Sequence, residues 1–207
     1  MRTSRLLNLC FFSLTAIHSP AASNGGVYDY TLPGTDGSSV SLAQFKGKTT
    51  LLVNIGIKSE YAAQMAALET LYQRYSAQGL IVIAVPSTNF ADLATGSSTE
   101  IESFCRKTYN VTFPVMGRTS VRGDDQAALY RYLTEDAGKD FKGDIHWAFT
   151  KFIIGKDGKV LFRFEPGVAP DDPALVLAIE QAISGKLPKK KDDSDKPASS
   201  PDSRRPV

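Results

Sequence analysis

Residues 49–75 read TTLLVNIGIKSEYAAQMAALETLYQRY, in which a strand-like segment passes directly into a helical pattern. The apolar run at residues 51–55 predicts a buried strand. The segment after Ser59 predicts a helix because apolar residues recur at spacings of four and three, at Tyr61, Met65, Leu68, Tyr72 and Tyr75. In open α/β sheets, functional groups lie at the carboxyl ends of strands. Ser59 follows the strand and precedes the positive end of the helix dipole, so we expect it at a functional site.

Two tight-turn signals flank this central pair. Residues 34–37 read GTDG and residues 155–158 read GKDG. Strand-like segments flank the first turn at residues 27–32 and 39–42 and the second at residues 148–154 and 160–164, and they predict two hairpins. The sequence further predicts one buried strand and three helices, at residues 81–85, 99–109, 125–133 and 173–183. Strands joined by helices as well as by tight turns indicate an α/β, thioredoxin-like fold. We expect a central mixed sheet flanked by helices, with an N-terminal β-hairpin.

The first 23 residues have the composition of a signal peptide. Arg2 and Arg5 precede a mostly apolar stretch at residues 6–17, and small residues follow it. The apolar stretch is too short for a membrane-spanning helix, so no stable membrane span is expected. Residues 1–23 therefore predict export, which makes the protein secreted or periplasmic.

The rest of the chain predicts one folded domain and a polar tail. A chain of 207 residues is long enough for one well-cored domain, expected at residues 24–185. Residues 186–207 are rich in Pro, Ser, Asp and Lys and predict a disordered tail. The net charge is only +2, and the basic residues of the domain are scattered, which argues against nucleic-acid binding.

Cysteine and histidine are too few for several kinds of site. Of the two cysteines, Cys10 lies in the predicted signal peptide, so the mature chain keeps Cys105 alone. A single thiol forms no disulfide within one molecule. His146 has no Cys, His or carboxylate partner at ligand spacing, so neither a metal site nor a bound cofactor is expected.

Many short segments between residues 27 and 183 together resemble a known family. Matching residues include Leu52-Val53-Asn54, Lys58, Val85-Pro86, Phe90, Val111-Thr112-Phe113-Pro114, Trp147, Phe149 and Lys151-Phe152. In these residues the chain resembles the glutathione peroxidase family. The resemblance implies a thioredoxin-like fold and the reduction of hydroperoxides by a thiol or selenol. It also implies glutathione or a thioredoxin-like protein as the reductant, if the chain is active.

The resemblance locates the family's active site, and three of its four positions differ here. The family has its cysteine or selenocysteine five residues after the asparagine of N-V-A-S-K-C-G, where this chain has Ser59. Asn89 occupies the glutamine position of P-C-N-Q-F, and Trp147 and Ala148 occupy the Trp-Asn pair of W-N-F. Glu60 replaces the glycine after the nucleophile, and its carboxylate would oppose thiolate formation even if a cysteine were restored.

Serine does not inherit the family's chemistry. A hydroxyl is much harder to ionise than a thiol, and its oxygen cannot cycle through sulfenic acid. A serine hydrolase would need a positioned base beside Ser59, so the simpler interpretation is a loop or helix-cap residue. Trp147 at the start of a predicted strand has two interpretations, as the wall of a former pocket or as an ordinary core residue.

Cys105 leads to two hypotheses for the function. By resemblance it falls where some thioredoxin-dependent members carry a resolving cysteine, but a cysteine on a helix face is also a common buried side chain. The first hypothesis is an exported, non-catalytic binding or scaffold domain with an unidentified protein partner. The second is a residual thiol-dependent hydroperoxide reductase that relies on Cys105.

Overall fold

The computed structural model describes residues 25–90 and 93–187. In chain order, the strands and α-helices of these residues are β1 (Thr31–Pro33), β2 (Ser39–Ser41), β3 (Thr49–Ile55), α1 (Gln64–Tyr75), β4 (Leu80–Pro86), α2 (Ser98–Tyr109), α3 (Ala128–Arg131), β5 (Lys151–Ile154), β6 (Val160–Phe164) and α4 (Pro173–Ser184). None of these helices is long and apolar enough to cross a membrane.

The N-terminal hairpin is confirmed, although it is shorter than predicted. Strands β1 and β2 pair antiparallel, with Leu32 opposite Val40. The chain before them forms a 3₁₀ turn at Val27–Asp29 instead of a strand. The backbone N–H of Val27 donates to the carbonyl of Gly158 at 2.8 Å, which fixes this turn against the second hairpin.

A four-stranded mixed sheet forms the centre of the domain, with the strands in the order β4-β3-β5-β6. Strand β3 pairs parallel with β4 and antiparallel with β5, and β5 pairs antiparallel with β6. Every residue of β3 and β4 is buried, because structure covers both faces of these two strands. The predicted mixed sheet flanked by helices is confirmed.

Local capping sets the ends of the helices. The side chain of Ser97 accepts the N–H of Glu100, and the Glu100 carboxylate accepts the N–H of Ser97, which is a capping box at the start of α2. Asp172 caps the start of α4, and Gly185 ends it with a φ of +71°. The predicted helix at residues 125–133 is instead the short helix α3 followed by a π-helical turn, Tyr132–Asp136.

Two predicted boundaries are wrong for identifiable reasons. Helix α1 begins at Gln64, not directly after Ser59, because the intervening residues form turns. Strand β5 begins at Lys151, not at residue 148, because Phe149 has a φ of +72°. A backbone in that left-handed region cannot continue a strand. Both differences lie at the candidate site.

The two ends of the chain lie outside the described residues. The predicted signal peptide, residues 1–23, falls entirely within this part, and the predicted tail is described only at residues 186 and 187. Both assignments stay predictions.

Candidate functional site

Ser59 lies in the turn that joins β3 to α1. Its backbone N–H donates to the carbonyl of Gly56 at 3.0 Å, and its own carbonyl accepts the N–H of Ala62 at 2.9 Å. The N-cap of α1 is Ala63, so Ser59 lies four residues before the cap and not in the first helical turn. The helix dipole falls off within about one turn and therefore acts only weakly at Ser59.

A carboxylate organises the polar side chains around Ser59. The Ser59 hydroxyl donates to Glu60 Oε2 at 3.1 Å, and the indole Nε1–H of Trp147 donates to the same oxygen at 3.2 Å. The Ser59 oxygen also accepts the backbone N–H of Tyr61 at 3.2 Å. We call Ser59, Glu60 and Trp147 the Ser-Glu-Trp cluster.

Hydrogen bonds keep the exposed Glu60 carboxylate ionised. The Glu60 backbone N–H, the Trp147 indole and the Ser59 hydroxyl, in decreasing order, lower the pKa of Glu60 below its usual value. A carboxylate with a lowered pKa is a weak base. Glu60 is therefore poorly suited to activate the Ser59 hydroxyl as a nucleophile.

Trp147 lies at the surface of this cluster, so its interpretation as an ordinary core residue is wrong. Its side chain is 36% exposed, and its ring packs on the buried Phe90 at a centroid distance of 5.6 Å. The Arg122 guanidinium carbon lies 4.7 Å from the centroid of the Phe90 ring. The half-exposed indole is thus held by ring contacts and by its hydrogen bond to Glu60.

Asn89 does not join the cluster. Its side-chain N–H groups donate to Ser120 Oγ at 3.0 Å and to the Arg122 carbonyl at 2.9 Å, and its oxygen accepts the N–H of Val121 at 2.5 Å. Among the described residues, its side chain makes no hydrogen bond with Ser59. The Asn89 amide therefore holds residues 120–122.

Ala148 fills its position with a methyl group and no polar atom. It is fully buried, and a Cβ built on Gly56 would lie 3.3 Å from its Cβ and 2.8 Å from that of Leu93. The neighbouring Asn54 donates its side-chain N–H to the Trp147 carbonyl at 3.1 Å, while its buried side-chain oxygen has no hydrogen-bond partner in the described structure. This wall of the site is apolar and closely packed.

Cys105 lies on the buried face of α2 and is fully inaccessible. Burial raises the pKa of its thiol to about 11, although the nearby Arg106 acts in the opposite direction. In the described part of the chain, no side-chain hydrogen bond connects it to the Ser-Glu-Trp cluster. The residue has the environment of an inert, buried thiol.

Lys151 beneath the site is a residue that sequence reasoning missed. Its side chain is fully buried, and Nζ donates to the carbonyls of Phe149 at 2.8 Å and Pro166 at 3.4 Å. Burial lowers the pKa of Lys151 to about 8, and the charge of Glu165 partly offsets this shift. A lysine inside the apolar segment FTKFII was the available signal, since an isolated charge in a buried strand needs a partner.

The cluster offers one hydroxyl, one carboxylate and one indole N–H, and no sulfur. The described residues contain no group of three or more His, Cys, Asp or Glu side chains suited to hold an ion. This set of groups can donate and accept hydrogen bonds to a ligand, but it cannot carry a thiol redox cycle.

Comparison with known proteins finds sequence similarity to glutathione peroxidases. A protein-family model described as glutathione peroxidase matches residues 27–134. A glutathione peroxidase from Lactococcus lactis is 37% identical over 145 residues, which cover 70% of this chain and 92% of that protein. A probable glutathione peroxidase 2 from Arabidopsis thaliana is also 37% identical over 145 residues, covering 70% of this chain and 86% of that protein.

Solved structures show the same relationship at the level of the fold. The apo crystal structure of Trgpx has a TM-score of 0.62 and 31% identity, and covers 79% of this chain and 99% of that one. A thiol:disulfide interchange protein of the thioredoxin family from Chlorobium tepidum has a TM-score of 0.57 with 16% identity, and covers 79% of this chain and 99% of that one. The second likeness concerns the fold alone, which is thioredoxin-like as predicted.

Proposed function

The chain belongs to the glutathione peroxidase family, and we propose that it is an exported, non-catalytic member that acts as a binding or scaffold domain. One observation carries the proposal. At the position of the family's nucleophile stands Ser59, whose hydroxyl donates to the Glu60 carboxylate at 3.1 Å. The indole of Trp147 donates to that carboxylate as well.

An oxygen in this environment cannot replace the missing sulfur. Peroxide reduction needs a nucleophile that ionises near neutral pH and is then oxidised and regenerated, as a thiolate is. Ser59 meets neither condition, and the adjacent negative charge of Glu60 opposes a second anion. The supporting groups have changed with it, since the Asn89 amide bonds to residues 120–122 and Ala148 has no polar side-chain atom.

The alternative, a residual hydroperoxide reductase that relies on Cys105, has less support. Such an enzyme would use glutathione or a thioredoxin-like protein to reduce an oxidised Cys105. A reactive cysteine is accessible and has a lowered pKa, whereas Cys105 is fully buried and its pKa is raised to about 11. With no thiol turnover, the expected partner is an unidentified protein that binds the folded domain.

A peroxidase assay of the wild type and three variants tests the proposal. We expect the wild type to reduce hydrogen peroxide no faster than Cys105→Ala, with either glutathione or thioredoxin as reductant. Ser59→Cys should give feeble turnover, because Asn89, Ala148 and Glu60 no longer support a thiolate. Ser76→Cys, which adds a thiol at an exposed serine elsewhere, is the matched control.

One outcome would contradict the proposal, and another would contradict the role given to the residues around Ser59. Wild-type turnover that disappears in Cys105→Ala would establish the reductase instead. Robust turnover by Ser59→Cys would show that the surrounding substitutions matter little and that the site remained competent apart from its nucleophile.

Export has its own test, because it rests on residues 1–23 alone. Arg2, Arg5 and the apolar stretch at residues 6–17 are the observations that support it. The mature protein, recovered outside the cytoplasm, should begin near residue 24 by N-terminal mass analysis. An intact chain that starts at Met1 and stays in the cytoplasm would overturn this part of the proposal.

A further inference from the structure

Strand β6 (Val160–Phe164) presents an unpaired edge. It is the last strand in the order β4-β3-β5-β6 and pairs only with β5. Within residues 25–90 and 93–187, its other side makes no backbone hydrogen bond to any element. An open row of backbone N–H and C=O groups is a template for one more strand.

A groove of about 520 Å³ follows this edge. Its lining includes four consecutive residues, 159–162. Because successive side chains of a strand point to opposite faces, a groove that contacts four in a row runs along the strand's edge rather than over one face. Its lining also includes Tyr132, Phe141 and the exposed Leu187. The groove therefore has the shape and apolar character to accept an extended segment.

We propose that this edge binds β6 of a second copy of the chain, antiparallel, with the two-fold axis at Phe162. A two-fold contact uses the same patch on both subunits, so the strand has to be complementary to itself. This register places Lys159 opposite Glu165 of the other copy, and Val160 opposite Phe164. Both charged side chains remain exposed, 78% for Lys159 and 55% for Glu165, although each also forms an ion pair within its own copy, Lys159 with Asp157 at 3.6 Å and Glu165 with Arg163 at 3.0 Å.

Charge selects this register over its neighbours. Opposite residues have their side chains on the same face of the sheet only if the two-fold axis passes through a residue position. Moving the axis by one residue in either direction gives two alternatives, at Leu161 and at Arg163. An axis at Arg163 places that arginine opposite its own copy. An axis at Leu161 places Lys159 opposite Arg163. Like charges directly opposite each other are destabilising, whereas the axis at Phe162 pairs opposite charges on both sides.

Residues 188–207 are the competing occupant, because the chain continues from Leu187 at the wall of the groove. Their composition is poorly suited to the edge. They contain prolines at positions 188, 197, 201 and 206, and proline lacks the N–H that pairing requires. The second copy supplies a strand with apolar side chains and matching charges.

Charge reversal tests the interface in the full chain. Sedimentation equilibrium over micromolar concentrations should give a mass approaching twice the 22.4 kDa of the chain. Lys159→Glu and Glu165→Lys should each weaken the dimer by about tenfold, because each turns two symmetry-related opposite pairs into like pairs. The double variant restores opposite charges and should dimerise like the wild type. Lys107→Glu on α2 is the matched control, and circular dichroism verifies that each variant is folded.

Three outcomes would overturn the proposal. A chain that stays monomeric with and without residues 188–207 has no such interface. A full chain that is monomeric and dimerises once residues 188–207 are removed assigns the groove to its own tail. A dimer that neither single reversal weakens uses another surface. None of these readouts depends on peroxidase activity, so failure of the dimer and failure of the proposed function can be distinguished.

Discussion

The burial of Cys105 predicts that its thiol reacts very slowly with alkylating reagents. With a pKa of about 11, about one molecule in ten thousand carries the thiolate at pH 7, whereas an ordinary thiol with a pKa of about 8.5 is ionised in about three molecules per hundred. The smaller thiolate population alone reduces reactivity roughly 300-fold. Because the side chain is also fully inaccessible, we expect Cys105 in the folded protein to react with iodoacetamide at least that much more slowly than in the unfolded chain.

The same residue in the same chain provides the reference. Alkylation is followed at pH 7 in buffer and in guanidinium chloride, and peptide mass mapping separates Cys105 from Cys10. In the folded protein the rate should rise with pH up to about 11, because deprotonation limits the reaction. A folded rate within about tenfold of the unfolded rate would refute the buried, protonated thiol and favour the reductase.

Three further predictions concern stability. The pKa of Lys151 is lowered from 10.5 to about 8 in the folded protein. Between pH 8 and pH 10.5 the unfolded chain therefore binds more protons than the folded chain, so the free energy of unfolding rises with pH. Urea unfolding at pH 8 and pH 10 should show a gain of roughly 2 kcal/mol that Lys151→Met lacks. Gly56→Ala places a Cβ 2.8 Å from that of Leu93, which should cost about 1–3 kcal/mol in denaturant unfolding. An unchanged midpoint would show that Leu93 moves freely. Ser97→Ala removes the capping box of α2 and should lower the free energy of unfolding by about 1 kcal/mol in the same measurement. An unchanged free energy of unfolding would show that the cap does not contribute to stability.

The sequence predicted the central strands and helices because local pattern determines them. Strand β3 contains a mostly apolar segment at residues 51–55 and is buried at every residue, and α4 has a proline in its first turn and Gly185 at its end. The wrong boundaries arise where the local pattern and the tertiary structure disagree. Phe149 is apolar and strand-like in sequence, yet its φ of +72° interrupts the extended backbone, so β5 begins at Lys151.

The candidate site was predicted by position but not by arrangement. Sequence placed Ser59 at the end of β3 and identified the carboxylate of Glu60 beside it. It gave no sign that Trp147, 87 residues away, bonds to Glu60, nor that the Asn89 amide turns to residues 120–122. Hydrogen bonds between distant residues depend on how loops meet in space, and spacing along the chain carries no information on that.

Hydrogen bonds to main-chain groups hold the segment that carries Trp147 and Phe149 against β3. Asn54 donates from its side chain to the carbonyl of Trp147, its own carbonyl accepts the N–H of Phe149 at 2.6 Å, and Lys151 holds the Phe149 carbonyl. None of these bonds involves the side chain at position 59, 89 or 148. Substitutions at positions 59 and 148 therefore leave these three bonds in place, whereas Asn89 itself holds residues 120–122. If the reaction was lost as proposed, its loss required no change in the bonds that hold this part of the main chain.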